Sequence, residues 1–178
     1  MSIINKIISN YLNNKSLYIG EKITMSEHMI QTAMLAEKTN YSSSLVCASL
    51  LHDYGHFILE SPDDLIVKDE DGKHEDVGCT FLEKYFIKDV LGPIKYHVKA
   101  KRYLAREEKY YKLLSEASKI SLKLQGGIMN KDESEKFEGN KFFENSIKLR
   151  KLDEVAKKPG LKIKSINEYK NLLASKLI

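Results

Sequence analysis

Residues 42–56 read SSSLVCASLLHDYGH. Three serines supply a helix N-cap, and Leu45, Val46, Ala48, Leu50 and Leu51 predict a buried helix running into His52-Asp53. On a continuing helix His52 and His56 lie four apart and share a face. Asp53 sits beside that face, and its two carboxylate oxygens can bridge two ions. The other histidines, His28, His74 and His97, fall in further helical stretches. Imidazole with carboxylate suits Fe, Mn, Zn or Ni. Five imidazoles with few carboxylates argue against Mg and Ca, which want oxygen ligands. The absence of an HExxH acid argues against a zinc protease.

Outward from this stretch, the chain reads as helices. Ile3, Ile4, Ile7, Ile8, Tyr11 and Leu12 form one apolar face. A second helix starts near Thr24 or Ser26, with Glu27 in its first turn, and ends near Lys38. Residues 61–73, SPDDLIVKDEDGK, are polar and acidic, a loop by composition. A helix from about His74 to Tyr85 follows. Another covers Lys88 to Leu104, with Gly92-Pro93 placing its true start near Pro93. Two long helices, about Glu107–Leu124 and Lys141–Lys157, are closed by Gly126-Gly127 and Pro159-Gly160. A short helix, Asn167–Lys176, ends the chain. No alternating strand and no repeat is visible, so the fold class is all-α, an irregular helical array in one domain, 1–178.

Composition removes other classes. The chain has 178 residues, 42% of them apolar, with 9 Gly and 3 Pro. That excludes collagen-like, low-complexity and disordered chains. Cys47 and Cys79 make neither a disulfide framework nor a zinc ribbon. No apolar run reaches membrane-span length, and MSIINKIISN lacks the pattern of a secretory signal. The expected location is the cytoplasm. Charge is uneven: residues 1–94 sum to −6 and residues 95–178 to +10. A solvated lysine-rich surface explains much of this. An anionic ligand would be met by arginine, and only Arg102, Arg106 and Arg150 are available.

His28, His52-Asp53 and Asp153 fit the H…HD…D pattern, and the chain resembles the HD-domain superfamily, a helical metal-binding fold. Further residues narrow the resemblance: HDYGH (His52–His56), His74, HVKAKRYL (His97–Leu104), LSEASKISLKLQGG (Leu114–Gly127), KLRKLDE (Lys148–Glu154) and YIGE (Tyr18–Glu21). Together they are similar to the mixed-valence di-iron oxygenases that break the carbon–phosphorus bond of 1-hydroxyphosphonates, in the glycine-forming branch. The similarity runs from about residue 18 to 154, with the C-terminal helix closing the fold. Ile128 departs from it, standing where proline is expected.

The resemblance implies an HD-domain array with a buried dinuclear metal site. His28, His52, Asp53 and Asp153 would hold one iron. Asp53 would bridge to a second, completed by His74 and His97. His56, Lys101, Ser118 and Arg150 would hold the phosphonate, with Gln125 nearby. Tyr18 would cover an open iron position, and Glu21 would contact the substrate amine. The implied cofactors are two iron ions, Fe(II)/Fe(III), with O2 as co-substrate. The implied reaction converts (R)-2-amino-1-hydroxyethylphosphonate to glycine and phosphate, after a hydroxylase has supplied the 1-hydroxy group. The residues themselves agree: His97 with Lys101, and Arg150 with Asp153, pair a metal position with a cation one helical turn away.

Three rival readings remain open at this level. One is an oxygenase for the trimethylammonium analogue. Another is a metal-dependent phosphohydrolase acting on a phosphate ester. The third is a helical nucleic-acid module, disfavoured by the lack of clustered arginine and of base-stacking aromatics. No GxGxxG after a strand and no P-loop is present, so no nicotinamide, flavin or nucleotide fingerprint is read. The implied partner is a small phosphonate, with neither nucleic acid nor membrane.

Overall fold

The computed structural model describes residues 1–18, 20–59 and 73–178. Among them there is no strand, only the isolated bridges Leu17–Thr24 and Phe86–Leu177. The helices are α1 (Ile3–Asn13), α2 (Met25–Lys38), α3 (Ser43–Leu51), α4 (His74–Leu82), α5 (Lys88–Leu104), α6 (Glu108–Leu113), α7 (Glu116–Leu124), α8 (Lys131–Glu138), α9 (Phe143–Val155) and α10 (Lys170–Ala174). Short 3-10 turns cover Tyr54–Phe57 and Ile166–Tyr169. The all-α expectation holds across the described residues.

Half of the described α-helices start on a side-chain cap. Thr24 and Glu27 form a capping box on α2, and the Ser42 hydroxyl accepts from Leu45 N at the start of α3. α2, α3, α5 and α9 pack on one another and form the centre of the array. Their shared core includes Met29, Ala33, Leu45, Leu50, Leu51, Ile94 and Leu149. Ile7 and Tyr11 of α1 and Leu173 of α10 belong to the same core. Leu104, Tyr110, Leu114 and Leu122 form a second cluster under α6 and α7, and Met129 with Phe137 anchors α8.

Several boundaries differ from the sequence reading. α3 stops at Leu51, and Tyr54–Phe57 winds as a 3-10 turn, so His52 and His56 do not share a helical face. The cause is tertiary. Gly55 lies so close to α4 that a Cβ there would come within 1.9 Å of the His74 carbonyl oxygen. α5 starts at Lys88 rather than near Pro93, because Val90, Leu91 and Ile94 are all buried and hold its first turns in place. The stretch Glu107–Leu124 is two helices, broken where the Ser115 hydroxyl caps α7 by accepting from Ser118 N. α8 was not expected, although Asn130 and Glu133 form a capping box at its start. α4 ends at Leu82 and α9 spans Phe143–Val155, each shorter than expected. The C-terminal helix is a 3-10 turn followed by α10. The expected loop at 61–73 lies, except for Lys73, outside the described residues. No described helix is long and apolar enough to cross a membrane.

Candidate metal centre and anion pocket

Six buried side chains converge from five parts of the chain. His28 comes from α2, His52 caps α3, Asp53 precedes the 3-10 turn, His74 begins α4, His97 sits in α5 and Asp153 in α9. Three imidazoles are oriented by backbone carbonyls. His28 Nδ1 lies 2.9 Å from Ala156 O, His52 Nδ1 2.9 Å from Ser49 O, and His97 Nδ1 2.6 Å from Ile94 O. A ring whose Nδ1–H donates to a carbonyl turns a bare Nε2 lone pair inward.

Those lone pairs form two groups. His28, His52 and Asp153 make one, and Asp53, His74 and His97 the other. His28 Nε2 lies 3.2 Å from His52 Nε2 and 3.2 Å from Asp153 Oδ1. In the second group His74 Nε2 is 3.1 Å from His97 Nε2. Asp53 joins the two. Its Oδ2 is 3.3 Å from His52 Nε2 and 3.7 Å from His28 Nε2. Its Oδ1 is 3.2 Å from His74 Nε2 and 3.4 Å from His97 Nε2. Gly55, by letting the turn after Asp53 approach α4, is what brings His74 to Asp53.

The donors fit metal ions. Two facing nitrogen lone pairs at this separation repel unless a cation or proton lies between them. Asp153 Oδ1 is buried and accepts no hydrogen bond. Each group offers two imidazoles and a carboxylate, the donor set of a first-row transition metal. Electrostatics points the same way. Burial alone would raise Asp53, but His52 and the other rings hold it well below the usual carboxylate range. Burial likewise opposes ionisation of Asp153, and Arg150 overrides it downward. Burial would depress His52, yet Asp53 and Asp153 carry it up to about 9. Asp53 raises His74 against its burial, whereas burial keeps His97 low.

Two buried cations, Arg150 and Lys101, lie beside Asp153. The buried Arg150 guanidinium pairs with Asp153 and Glu154, and its Nε donates to Tyr110 Oη at 2.9 Å. Ser118 Oγ donates to Glu154 Oε2 at 3.1 Å. Lys101 is buried with Nζ 2.9 Å from Ser121 Oγ. Burial and the Arg150 charge push its pKa down to about 7. Lys157 Nζ lies 3.0 Å from Ser118 Oγ.

The other expected site residues fall as follows. His56 lies outside both metal groups and stacks on His74 with ring centroids 4.3 Å apart. Burial and the His74 charge drop its pKa to about 3, so it is neutral, and its Nδ1 has no hydrogen-bond partner. Tyr18 stacks on His28 at 4.0 Å and 11°. Burial, with Asp153 and Asp53, pushes its phenol well above the usual value. Glu21 N donates to Tyr18 O, which keeps both residues in one turn, and Glu21 Oε1 is 3.4 Å from Lys157 Nζ. Gly20 in that turn has φ +72° and would clash with Ala117 if it carried a Cβ. Gln125 caps the end of α7, and its buried Oε1 accepts no hydrogen bond.

Of the three arginines, only Arg150 reaches the proposed metal ligands, through Asp153. Arg102 bonds the Gly126 and Gly127 carbonyls and Glu133, and Arg106 pairs with Glu138 at 4.0 Å. Tyr110, Ser121, Glu154 and Lys157 bond to Arg150, Lys101 or Ser118 without having been singled out by sequence. Glu154 and Lys157 did carry a signal, being four and seven residues beyond Arg150. Ser121 lies three residues beyond Ser118, whereas Tyr110 carried no signal.

The HD domain family model matches residues 25–136. The chain is 43% identical over 149 residues to a glycine-betaine-forming 1-hydroxy-2-(trimethylamino)ethylphosphonate dioxygenase of Leisingera caerulea, covering 81% of this chain and 74% of that one. It is 40% identical over 154 residues to a hydroxymethylphosphonate dioxygenase of Gimesia maris, covering 85% and 77%. It is 41% identical over 175 residues to an uncharacterized protein of Acanthamoeba polyphaga mimivirus, covering 96% and 80%. A domain match over more than half the chain, joined to relatives this similar over most of their length, places the chain in the HD-domain phosphonate dioxygenase family.

Proposed function

We propose that the chain is a di-iron oxygenase that splits the carbon–phosphorus bond of a 1-hydroxyphosphonate, with 2-amino-1-hydroxyethylphosphonate as the best-fitting substrate. The coarser part follows from the family: an oxidoreductase that uses a metal and O2. The reaction balances without an external reductant. R–CH(OH)–PO3H2 and O2 give R–COOH and phosphoric acid, and R is aminomethyl when the acid is glycine. The C1 hydroxyl has to come from an enzyme that hydroxylates an alkylphosphonate.

The observation that carries this reading is Asp53, whose two oxygens face two separate imidazole pairs beside a pocket of buried cations. When bound, a pair of redox-active metals supplies Lewis acidity to the C1 hydroxyl and electrons for O2. His28, His52 and Asp153 would hold one ion, His74 and His97 the other, and Asp53 both. Arg150, Lys101 and Ser118 bind the phosphonate oxygens. Charged donors aimed at an oxyanion in a buried pocket bind strongly and fix its orientation. His56, being neutral, contributes a hydrogen bond and no charge. A phosphonate beside Lys101 favours its charged form.

Glu21 supports the primary amine. Its Oε1 is buried and accepts no hydrogen bond. An –NH3⁺ group satisfies that oxygen with an N–H. A trimethylammonium has no N–H to give, and hydroxymethylphosphonate has no cation. Tyr18, stacked on His28, covers the first metal group until substrate displaces it. α1 and α10, which flank the matched residues and share the central core, are read with them as one domain.

The test uses iron-loaded protein and three substrates: the aminated, trimethylated and hydroxymethyl 1-hydroxyphosphonates. The expected result is one O2 consumed per phosphate released, glycine as the organic product of the preferred substrate, and no phosphate without O2. Phosphate release under strict anaerobiosis, or hydrolysis of phosphate esters instead, contradicts it.

A further inference from the structure

Lys157 lies two residues beyond α9, and its side chain is 9% exposed. A buried ammonium is costly unless each proton is met. Here Nζ is 3.0 Å from Ser118 Oγ, 3.2 Å from Ser115 Oγ and 3.3 Å from Glu154 Oε1. It also lies 3.4 Å from Glu21 Oε1 and 5.5 Å from the Tyr18 ring centroid. One ammonium therefore touches both ends of the site. Ser118 and Glu154 belong to the Arg150 pocket, and Glu21 belongs to the turn that carries Tyr18.

A purely structural ion pair would be expected to satisfy both partners. This one does not. Glu21 Oε1 feels the charge of Lys157 but accepts no hydrogen bond from it. Two of the acceptors that Lys157 does use are serine hydroxyls, weaker partners than an oxyanion. A phosphonate seated on Ser118 and Arg150 would bring oxygens within reach of an ammonium already in contact with Ser118.

We propose that Lys157, held by Ser115, Ser118 and Glu154 and facing the charge of Glu21, is a further phosphonate-binding residue, so that a zwitterionic substrate exchanges partners with the Lys157–Glu21 charge pair. The phosphonate takes the lysine, and the substrate's ammonium takes the glutamate. A substrate with an uncharged tail takes the lysine and leaves Glu21 buried without a cation. The pair therefore favours zwitterions over simple anions. This inference rests on the reading of the site as one for 1-hydroxyphosphonates.

Binding is measured by anaerobic calorimetry on iron-loaded protein, where turnover is blocked, with 2-amino-1-hydroxyethylphosphonate and hydroxymethylphosphonate. Lys157→Met is expected to weaken hydroxymethylphosphonate by roughly tenfold or more, the size of one lost charged hydrogen bond, and the aminated ligand by less, because its ammonium then meets an unpaired Glu21. Lys157→Arg recovers part of the loss, and iron content is unchanged in both variants. Glu21→Gln moves the two ligands in opposite directions: the aminated one binds more weakly, and the hydroxymethyl one more tightly because Lys157 no longer faces the Glu21 charge. A Lys157→Met protein with both dissociation constants within about twofold of wild type overturns the proposal. So does a Glu21→Gln protein that shifts both ligands the same way, or a wild-type protein that binds neither. Phosphate release by the wild type in air is scored separately. Its absence with both compounds removes the reading of the reaction, while the binding comparison still decides the role of Lys157.

Discussion

His28 and His52 face each other through their Nε2 atoms at 3.2 Å, while each commits Nδ1 to a backbone carbonyl. Neither ring can turn away, because both are buried against the central core. The arrangement is stabilised by a positive charge at the nitrogens. In the metal-free protein Asp53 and Asp153 carry His52 up to about 9, so that ring holds the charge, with Asp53 as its hydrogen-bond partner. In the loaded protein a metal held by the two rings would take its place.

Metal uptake therefore displaces a proton. The His52 pKa is raised above the ordinary value of 6.5. Its contribution to the stability of the metal-free protein is thus complete below about pH 6.5 and is lost as pH rises through about 9. The melting temperature of the metal-free protein should fall across that window, and metal affinity should rise across it. Calorimetric titration of the metal in two buffers of different ionisation heat should show proton release at pH 7. A heat independent of buffer would contradict the assignment.

Gly55→Ala should disconnect the second metal group from the first. The added methyl meets the His74 carbonyl at 1.9 Å, and backbone must shift to admit it. Overpacking of this kind costs about 1–3 kcal/mol. The expected protein is folded by circular dichroism, less stable, and depleted in one metal more than the other. Full metal content with wild-type stability would refute the close approach.

Arg150→Lys should separate substrate binding from metal binding. The guanidinium spreads its donors over Tyr110, Asp153 and Glu154, which a single ammonium cannot copy. The lysine still offsets the buried carboxylates, so the collapse expected of Arg150→Ala, about 3–5 kcal/mol for an unpaired buried charge, is avoided. KM for the phosphonate should rise at least about tenfold, the equivalent of ~1.4 kcal/mol, with iron per chain unchanged. An unchanged KM removes Arg150 from the anion pocket.

Tyr18→Phe should alter the metal centre without unfolding the chain. The ring stack on His28 survives the substitution, and only the hydroxyl is lost. The resting absorption or resonance spectrum of the iron-loaded protein should change while its melting temperature moves little. An identical spectrum would mean that the phenol does not reach the metal.

Cap chemistry made the starts of α2 and α3 readable, through Thr24 with Glu27 and through Ser42. Ser115 and the Asn130–Glu133 pair carry the same chemistry, but the helices they open are short and polar, with little apolar periodicity. The end of α3 was not readable, because what stops it is contact between Gly55 and a helix on the far side of residues 60–72. The metal candidates were legible as residue types in order. Which oxygen of Asp53 faces which ring was not, since that depends on five parts of the chain meeting. Tyr110 shows the limit most clearly. It is one of 10 tyrosines, and only the packing of α6 against α9 gives it Arg150 as a partner.

The most direct test of the Asp53-bridged centre is an anaerobic titration of the metal-free protein with Fe(II), run beside Asp53→Ala. Circular dichroism confirms that both are folded. Two ions per wild-type chain, and loss of tight binding at both positions in the variant, are expected. One ion or none in the wild type, or two ions retained without the Asp53 carboxylate, would contradict the Asp53 bridge.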